Sequence, residues 1–170
     1  NDIARVIGVT KAYQTRVGEG PMPTELLGEV GDKLRELGNE YGATTGRPRR
    51  CGWLDLPSLR YSLQVGGVNS IALTKIDVLD GMDEIKICTH YEHNGKKYDT
   101  LPTADAAFMA EAKAIYETMP KWDGATFGIK DFADFPPEAQ DYVKYIEDAV
   151  GVPVEIISNG PAREEVFYRV

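Results

Sequence analysis

Short apolar segments with the composition of strands alternate with amphipathic segments of helical period along the whole chain. Residues 3–13, 70–76 and 153–157 are rich in the β-branched residues that favour strands. Predicted helices separate them. This alternation is typical of an α/β fold, in which strands from distant parts of the chain meet in one sheet.

Apolar residues at helical spacing predict four helices. The first ends near Gly42, which is expected to cap it, and it carries Val30, Leu34, Leu37 and Tyr41 on one face. Residues 57–65 and 104–117 are predicted as the second and third helices. The last begins at Pro136-Pro137 and ends at Gly151. Its inward residues are predicted to be Tyr142 or Val143, Ile146 and Val150.

A β-hairpin is predicted where residues 84–91 and 97–101 flank Asn94-Gly95, the strongest short hairpin signal. Strands, helices and this hairpin together predict a mixed β-sheet with flanking helices. The length of 170 residues suits one unit spanning residues 1–170.

The charge of the chain excludes some partners. Its 27 acidic and 19 basic residues give a net charge of −8, which disfavours nucleic acid and an anionic membrane surface as partners. No apolar run approaches the roughly 20 residues that cross a bilayer. The chain begins with Asn1 rather than Met, so we expect a processed protein or a piece of a larger one.

Several common catalytic and metal-binding patterns are missing from the sequence. Cys51 and Cys88 form no C-x-x-C pair, so we expect two reduced thiols, a cytosolic protein and no zinc site. There is no G-x-x-x-x-G-K-[ST] phosphate loop. No Ser-His-Asp or Cys-His set indicates a nucleophile.

Residues 44–50, with the sequence TTGRPRR, form an unusually basic stretch for so acidic a chain. Arginine pairs with carboxylates and phosphates in a bidentate manner, and Gly46 would let the backbone approach an anion. The stretch therefore predicts an anion site. The alternative is a solvated basic turn that forms salt bridges with the acidic surface.

Two further motifs follow predicted strands, where α/β proteins tend to bind ligands. In residues 74–77, the Asp77 carboxylate could accept hydrogen bonds from guanine N1–H and the exocyclic amine, and the Lys75 stem could lie along the base with its ammonium in solvent. Residues 158–161 could present backbone N–H groups to a purine edge. Either motif could instead be an ordinary strand end or turn.

A series of longer motifs runs in order along nearly the whole chain. They are KAYQTRVG (11–18), GPMPTEL (20–26), GNEYGATTGR (38–47), GWLD (52–55), LTKIDVLDG (73–81), YETMP (116–120) and ISNGP (157–161). Together they closely resemble the C-terminal part of the adenylosuccinate synthetase family, whose members join IMP and L-aspartate at the expense of GTP. The resemblance implies the C-terminal portion of a larger, P-loop-like, GTP-dependent ligase of AMP biosynthesis.

The resemblance also implies roles for individual residues. The residues expected to bind aspartate and IMP are Val17, Ala43, Thr44, Thr45, Gly46, Arg47, Pro48 and Arg49. Those expected to bind GTP are Arg49, Lys75, Ile76, Asp77, Ser158, Asn159 and Gly160. Pro48 stands where many members carry another Arg, and Asn159 stands where Thr or a small residue is common.

By the same resemblance, GTP phosphorylates the 6-oxygen of IMP, and the aspartate amine then displaces phosphate. The phosphate loop, the catalytic Asp and His, and the Mg²⁺ ligands of the family belong to its N-terminal half. We therefore expect no catalytic or metal-binding residue in this chain, no activity of the chain alone, and a cytoplasmic homodimer for the whole enzyme. The alternatives are a stand-alone, non-catalytic nucleotide-binding or regulatory module, or a fragment that binds nothing alone.

Overall fold

The computed structural model describes residues 4–102 and 105–169. The strands are β1 (Ile7–Lys11), β2 (Gln14–Arg16), β3 (Arg50–Gly52), β4 (Leu54–Asp55), β5 (Ser70–Thr74), β6 (Ile85–His93), β7 (Lys96–Tyr98), β8 (Lys113–Met119), β9 (Val154–Ser158) and β10 (Val166–Tyr168). The α-helices are α1 (Glu29–Leu37), α2 (Leu56–Gly66), α3 (Ala106–Glu111) and α4 (Pro137–Val150). Short 3-10 turns cover Ile76–Gly81 and Phe132–Asp134.

The main sheet has the strand order β1-β5-β9-β10. Its first three strands are parallel and β10 is antiparallel, so the predicted α/β fold with a mixed sheet is confirmed. The register pairs Lys11 with Thr74 and Leu73 with Ile157, which brings the carboxyl ends of the three parallel strands to one edge. This edge is where an α/β fold leaves room for a ligand.

A second sheet contains β4, β6, β7 and β8, with β6 in contact with the other three. The predicted hairpin is confirmed, because β6 and β7 pair antiparallel on either side of Asn94-Gly95. Asn94 and Gly95 have φ values of 49° and 73°. These positive angles suit the tight turns whose twist matches that of paired strands.

The helix predicted over residues 104–117 is wrong for most of its length. Ala104 lies outside the described residues, α3 ends at Glu111, and Lys113–Met119 forms strand β8. β8 pairs antiparallel with β6 from Met119 opposite Ile85 to Lys113 opposite Glu92. Pairing with a long neighbouring strand outweighs the loose helical period of this segment.

The first helix is shorter than its apolar spacing predicted. α1 ends at Leu37 with Gly38 rather than Gly42 as its cap. Of the predicted face, Leu34 is buried, whereas Val30, Leu37 and Tyr41 remain exposed. Leu37 borders a cleft described below, so a side chain that periodicity assigned to the core lies at a candidate site instead.

The last helix matches its prediction at both ends. α4 follows Pro136, and Gly151 caps it in the left-handed conformation. Tyr142, Val143 and Ile146 are buried in the core. The Tyr142 hydroxyl also donates a 2.6 Å hydrogen bond to the carbonyl oxygen of Ala12, just after β1. This bond ties α4 to the edge of the sheet where the parallel strands end.

Tyr142→Phe removes that buried hydrogen bond and leaves the Ala12 carbonyl without the Tyr142 donor. We expect the free energy of unfolding to fall by about 1–2 kcal/mol in urea denaturation. Tyr168→Phe is the control, because the Tyr168 side chain is exposed. Equal stability of the two variants would show that the Tyr142 hydroxyl contributes nothing.

Candidate functional site

A cleft of about 280 Å³ opens beyond the ends of β5 and β9. Its lining residues are Leu37, Gly38, Asn39, Lys75, Asp77, Val78, Gly160 and Pro161. Lys75 adopts the left-handed conformation (φ 61°) between β5 and the 3-10 turn that contains Asp77. The motifs at 74–77 and 158–161, which are far apart in sequence, therefore line the same cleft.

Asp77 supplies the most distinctive polar group of this cleft. Its Oδ1 atom is buried and has no hydrogen-bond partner among the residues that the structure describes. Burial raises the pKa of the Asp77 carboxyl above its usual range. A buried acceptor without a donor is costly, so this geometry suits a ligand that brings N–H groups into the cleft.

The other residues of the two motifs are buried or form hydrogen bonds within the chain. The Ile76 side chain is fully buried, so only its backbone is available to a ligand. Asn159 is also buried, and its amide nitrogen donates to the carbonyl oxygen of Ile129 at 2.8 Å. The Ser158 hydroxyl donates to the carbonyl oxygen of Gly160 at 3.3 Å. A Cβ on Gly160 would lie 2.3 Å from Glu165 Oε2, so a larger residue here would displace the Glu165 side chain.

The basic stretch forms an exposed loop whose base is closed by hydrogen bonds. Residues 43–48, which include the predicted aspartate-binding residues Ala43, Thr44, Thr45, Gly46, Arg47 and Pro48, are all exposed. The Gly42 N–H donates to the carbonyl of Arg47 at 2.9 Å, and the Arg49 N–H donates to the carbonyl of Glu40 at 2.9 Å. Arginine and threonine side chains in this loop are therefore open to an approaching anion.

Glu40 joins this loop to the cleft. Its side chain is fully buried, and its carboxylate accepts four hydrogen bonds. Oε1 accepts from Lys11 Nζ at 2.8 Å, Lys75 Nζ at 2.8 Å and the Tyr13 hydroxyl at 2.6 Å. Oε2 accepts from Arg49 Nη1 at 2.7 Å. One carboxylate thus contacts residues from both candidate subsites.

The Lys75 ammonium does not remain in solvent, contrary to the sequence prediction. It donates to Glu40 and, at 2.6 Å, to the carbonyl oxygen of Gly38. A buried carboxylate requires charged donors, and Lys75 is within reach as the chain leaves β5. The side chain remains about one third exposed, so its stem can still form a wall of the cleft.

Electrostatics keep Glu40 ionised. Burial alone would raise its pKa, but the hydrogen bonds from Lys11, Lys75, Tyr13 and Arg49 outweigh burial and lower the pKa to about 2. Glu40 is a site residue that no sequence motif indicated. The signal available was an acidic residue four positions before a basic stretch, a pattern too common to single out.

Val17, predicted beside a substrate, lies in the turn after β2 with its side chain exposed. The adjacent Arg16 donates to the carbonyl of Pro21 at 2.7 Å, which folds this turn back on itself. A neighbouring hollow is lined in part by Arg16 and Pro21. Val17 therefore stands at the rim of the molecule rather than in the cleft with Asp77.

Comparison with known proteins identifies the relatives of this fold. The model of the family described as adenylosuccinate synthetase matches residues 1–167. The chain is 54% identical over 162 residues to adenylosuccinate synthetase of Aquifex aeolicus, covering 95% of this chain and 37% of the relative. It is 54% identical over 165 residues to that of Bifidobacterium adolescentis, covering 97% of this chain and 38% of the relative.

A solved structure shows the same fold. The chain superposes with a TM-score of 0.94 and 37% identity on fully ligated adenylosuccinate synthetase from Plasmodium falciparum, covering 99% of this chain and 40% of that chain. The chain belongs to the adenylosuccinate synthetase family. It spans less than two fifths of the length of the two bacterial relatives.

Within residues 4–102 and 105–169, no group of three or more His, Cys, Asp or Glu side chains could hold a metal ion. In the same part of the chain, no helix is long and apolar enough to cross a membrane. Cys51 and Cys88 are both free and buried.

The depressed pKa of Glu40 makes the stability of the chain depend on pH. Because the folded pKa of about 2 lies below the ordinary 4.5, the ionised carboxylate stabilises the fold above about pH 4.5, and this stabilisation is lost as the pH falls toward 2. The shift corresponds to about 3 kcal/mol. Between pH 6 and pH 2, the free energy of unfolding measured in urea should fall by about 3 kcal/mol less in Glu40→Gln than in the wild type.

Glu36→Gln is the matched control, since Glu36 lies on the exposed side of α1. Its stability should follow the wild type within about 0.5 kcal/mol. A Glu40→Gln variant with the same acid sensitivity as the wild type would contradict the assignment of a buried, ionised Glu40.

Proposed function

We propose that this chain is the C-terminal part of a GTP-dependent ligase that converts IMP and L-aspartate to adenylosuccinate, with GDP and phosphate as the other products. The observation that carries the proposal is the buried Asp77 Oδ1 atom, which has no hydrogen-bond partner among the described residues, in a cleft between two adjacent strand ends. Membership of the family supports the reaction. The chain would supply guanine recognition and the aspartate loop.

Asp77 suits guanine because of its hydrogen-bonding pattern. The Watson–Crick edge of guanine carries two adjacent donors, N1–H and the exocyclic amine, and a carboxylate can accept from both. Lys75, held by Glu40, would lie along one side of the base, and Gly160 would allow its other edge to approach the backbone. Ser158, Asn159 and Ile76 would contribute through the backbone that shapes this cleft.

The exposed loop suits a dicarboxylate. The hydroxyls of Thr44 and Thr45 and the guanidinium of Arg47 are available at its surface. Charge-assisted hydrogen bonds from such groups to a carboxylate are worth about 1.5–3 kcal/mol each. In this proposal Arg47 also contacts IMP, Arg49 lies near GTP, and Val17 lies beside the IMP ribose.

The proposed reaction has two steps that need both halves of an active site. GTP phosphorylates the 6-oxygen of IMP, which makes a good leaving group, and the aspartate amine then displaces phosphate. The residues of this chain bind and orient the substrates for those steps. In the whole enzyme, Mg²⁺ would neutralise phosphate charge, and we place the Mg²⁺ ligands outside this chain. The whole enzyme would be a cytoplasmic homodimer of purine biosynthesis.

The proposal predicts a sharp difference between the chain and the complete protein. The protein expressed from its complete coding sequence should form adenylosuccinate from IMP, aspartate and GTP with Mg²⁺, as measured by chromatography. Residues 1–170 alone should show no turnover, because the proposed chain lacks the groups for phosphoryl transfer. Turnover by residues 1–170 would contradict the division of the active site, and an inactive complete protein would contradict the reaction.

Asp77→Asn in the complete protein tests guanine recognition. The amide accepts one hydrogen bond and donates another, so it mismatches the guanine amine but matches the C2 carbonyl of xanthine. We expect the KM for GTP to rise at least about tenfold and activity with XTP to improve. Steady-state kinetics with both nucleotides measure the exchange.

The control for this exchange is Asp83→Asn, since Asp83 pairs with Lys33 and its side chain is 88% exposed. It should leave the KM for GTP within about twofold of the wild type. Unchanged GTP kinetics in Asp77→Asn would remove Asp77 from the guanine site.

A further inference from the structure

The buried Glu40 carboxylate divides its two oxygens between two parts of the molecule. Oε1 accepts hydrogen bonds from Lys75, Lys11 and Tyr13, and Oε2 accepts from Arg49. Lys75 lines the cleft, whereas Arg49 stands at the base of the exposed loop. The two subsites therefore depend on the same carboxylate.

On the cleft side, Glu40 determines where the Lys75 side chain lies. Its ammonium is held between Glu40 and the carbonyl of Gly38, and Gly38 itself lines the cleft. With both ends of the side chain fixed, the Lys75 stem forms a defined wall. Without the carboxylate, Lys75 would meet the like charge of Lys11, which now shares the same oxygen.

On the loop side, Glu40 holds Arg49 twice. The Arg49 backbone N–H donates to the Glu40 carbonyl at 2.9 Å, and Nη1 donates to Oε2 at 2.7 Å. Arg49 Nε is buried and has no partner within the described part of the chain. An isolated bridge between Tyr41 and Pro48 closes the loop next to this pair. The side chain of Arg49 is thus fixed at the point from which the loop extends.

We propose that Glu40 is a positioning residue for both substrates, holding Lys75 for the guanine nucleotide and Arg49 for the dicarboxylate loop. This inference rests on the proposed function of the two subsites. Glu40 itself is too deeply buried to touch a substrate. It acts by fixing cations that would otherwise repel one another.

The test is Glu40→Gln in the complete protein, which keeps the shape of the side chain and removes its charge. We expect the KM for GTP and the KM for aspartate each to rise at least about tenfold. Partial unfolding of the variant would raise both KM values together. The same substitution is therefore also made in two variant backgrounds, which separate the effect on GTP from the effect on aspartate.

In a Lys75→Met background, Glu40→Gln should retain its effect on the KM for aspartate but lose most of its effect on the KM for GTP. In an Arg49→Met background, Glu40→Gln should lose most of its effect on the KM for aspartate but retain the part of its effect on the KM for GTP that acts through Lys75. Such selective cancellation arises only if the carboxylate acts through these two cations. Effects that persist undiminished in both backgrounds, or a Glu40→Gln variant with both KM values within about twofold of the wild type, would overturn the proposal.

Glu147→Gln is the matched control, because Glu147 forms a 2.6 Å ion pair with Arg169 beside α4. Both of its KM values should stay within about twofold of the wild type. If Glu40→Gln does not fold, Glu40→Asp replaces it. The shorter Asp side chain keeps the charge but cannot reach both Lys75 and Arg49. The Glu40→Asp variant should raise the KM for at least one of GTP and aspartate selectively. Unchanged KM values would count against the proposal.

The two proposals fail in different ways. A wild-type protein that forms no adenylosuccinate contradicts the proposed function and leaves Glu40 to be tested by binding. Calorimetric titration of GDP and of aspartate into the same variants then replaces the KM values. Affinities that do not depend on Glu40 would overturn its positioning role whatever the reaction proves to be.

Discussion

The placement of the candidate site depends on one buried charge, the Glu40 carboxylate. A carboxylate removed from water destabilises the fold unless strong donors surround it, and Lys11, Tyr13, Arg49 and Lys75 do so here. Lys11 ends β1 and Lys75 follows β5, so satisfying Glu40 also brings together two strand ends and the base of the basic loop. The same hydrogen bonds that stabilise the interior therefore shape the surface that a ligand would meet.

The sheet supplies the rest of the site. Parallel pairing of β1, β5 and β9 brings their carboxyl ends together, and short segments that contain Lys75 and Gly160 follow β5 and β9. Motifs more than eighty residues apart in sequence, such as those containing Asp77 and Gly160, then line one cleft. A stable sheet with variable strand-end loops is how α/β proteins separate the demands of folding from those of recognition.

The sequence predicted the fold class, the central strands, the hairpin and the last helix, because each has a strong local signal such as Asn94-Gly95 or the Pro136 and Gly151 boundaries. It missed β8 because strand pairing with β6, a non-local interaction, decided that segment. It also missed Glu40, because the hydrogen bonds that this carboxylate accepts come from separate chain segments that meet only in the folded structure. Lys75 was predicted as a site residue, but its ammonium is held by Glu40 rather than by solvent.

A crystal structure of the complete protein with GDP, IMP and a dicarboxylate bound would show whether Glu40 holds together the two proposed binding subsites. We expect the guanine edge within hydrogen-bond distance of Asp77, the carboxylates of the dicarboxylate in contact with the 43–49 loop, and Glu40 still bonded to both Lys75 and Arg49. A base bound away from Asp77, or Lys75 and Arg49 separated from Glu40 in the bound state, would contradict this expectation.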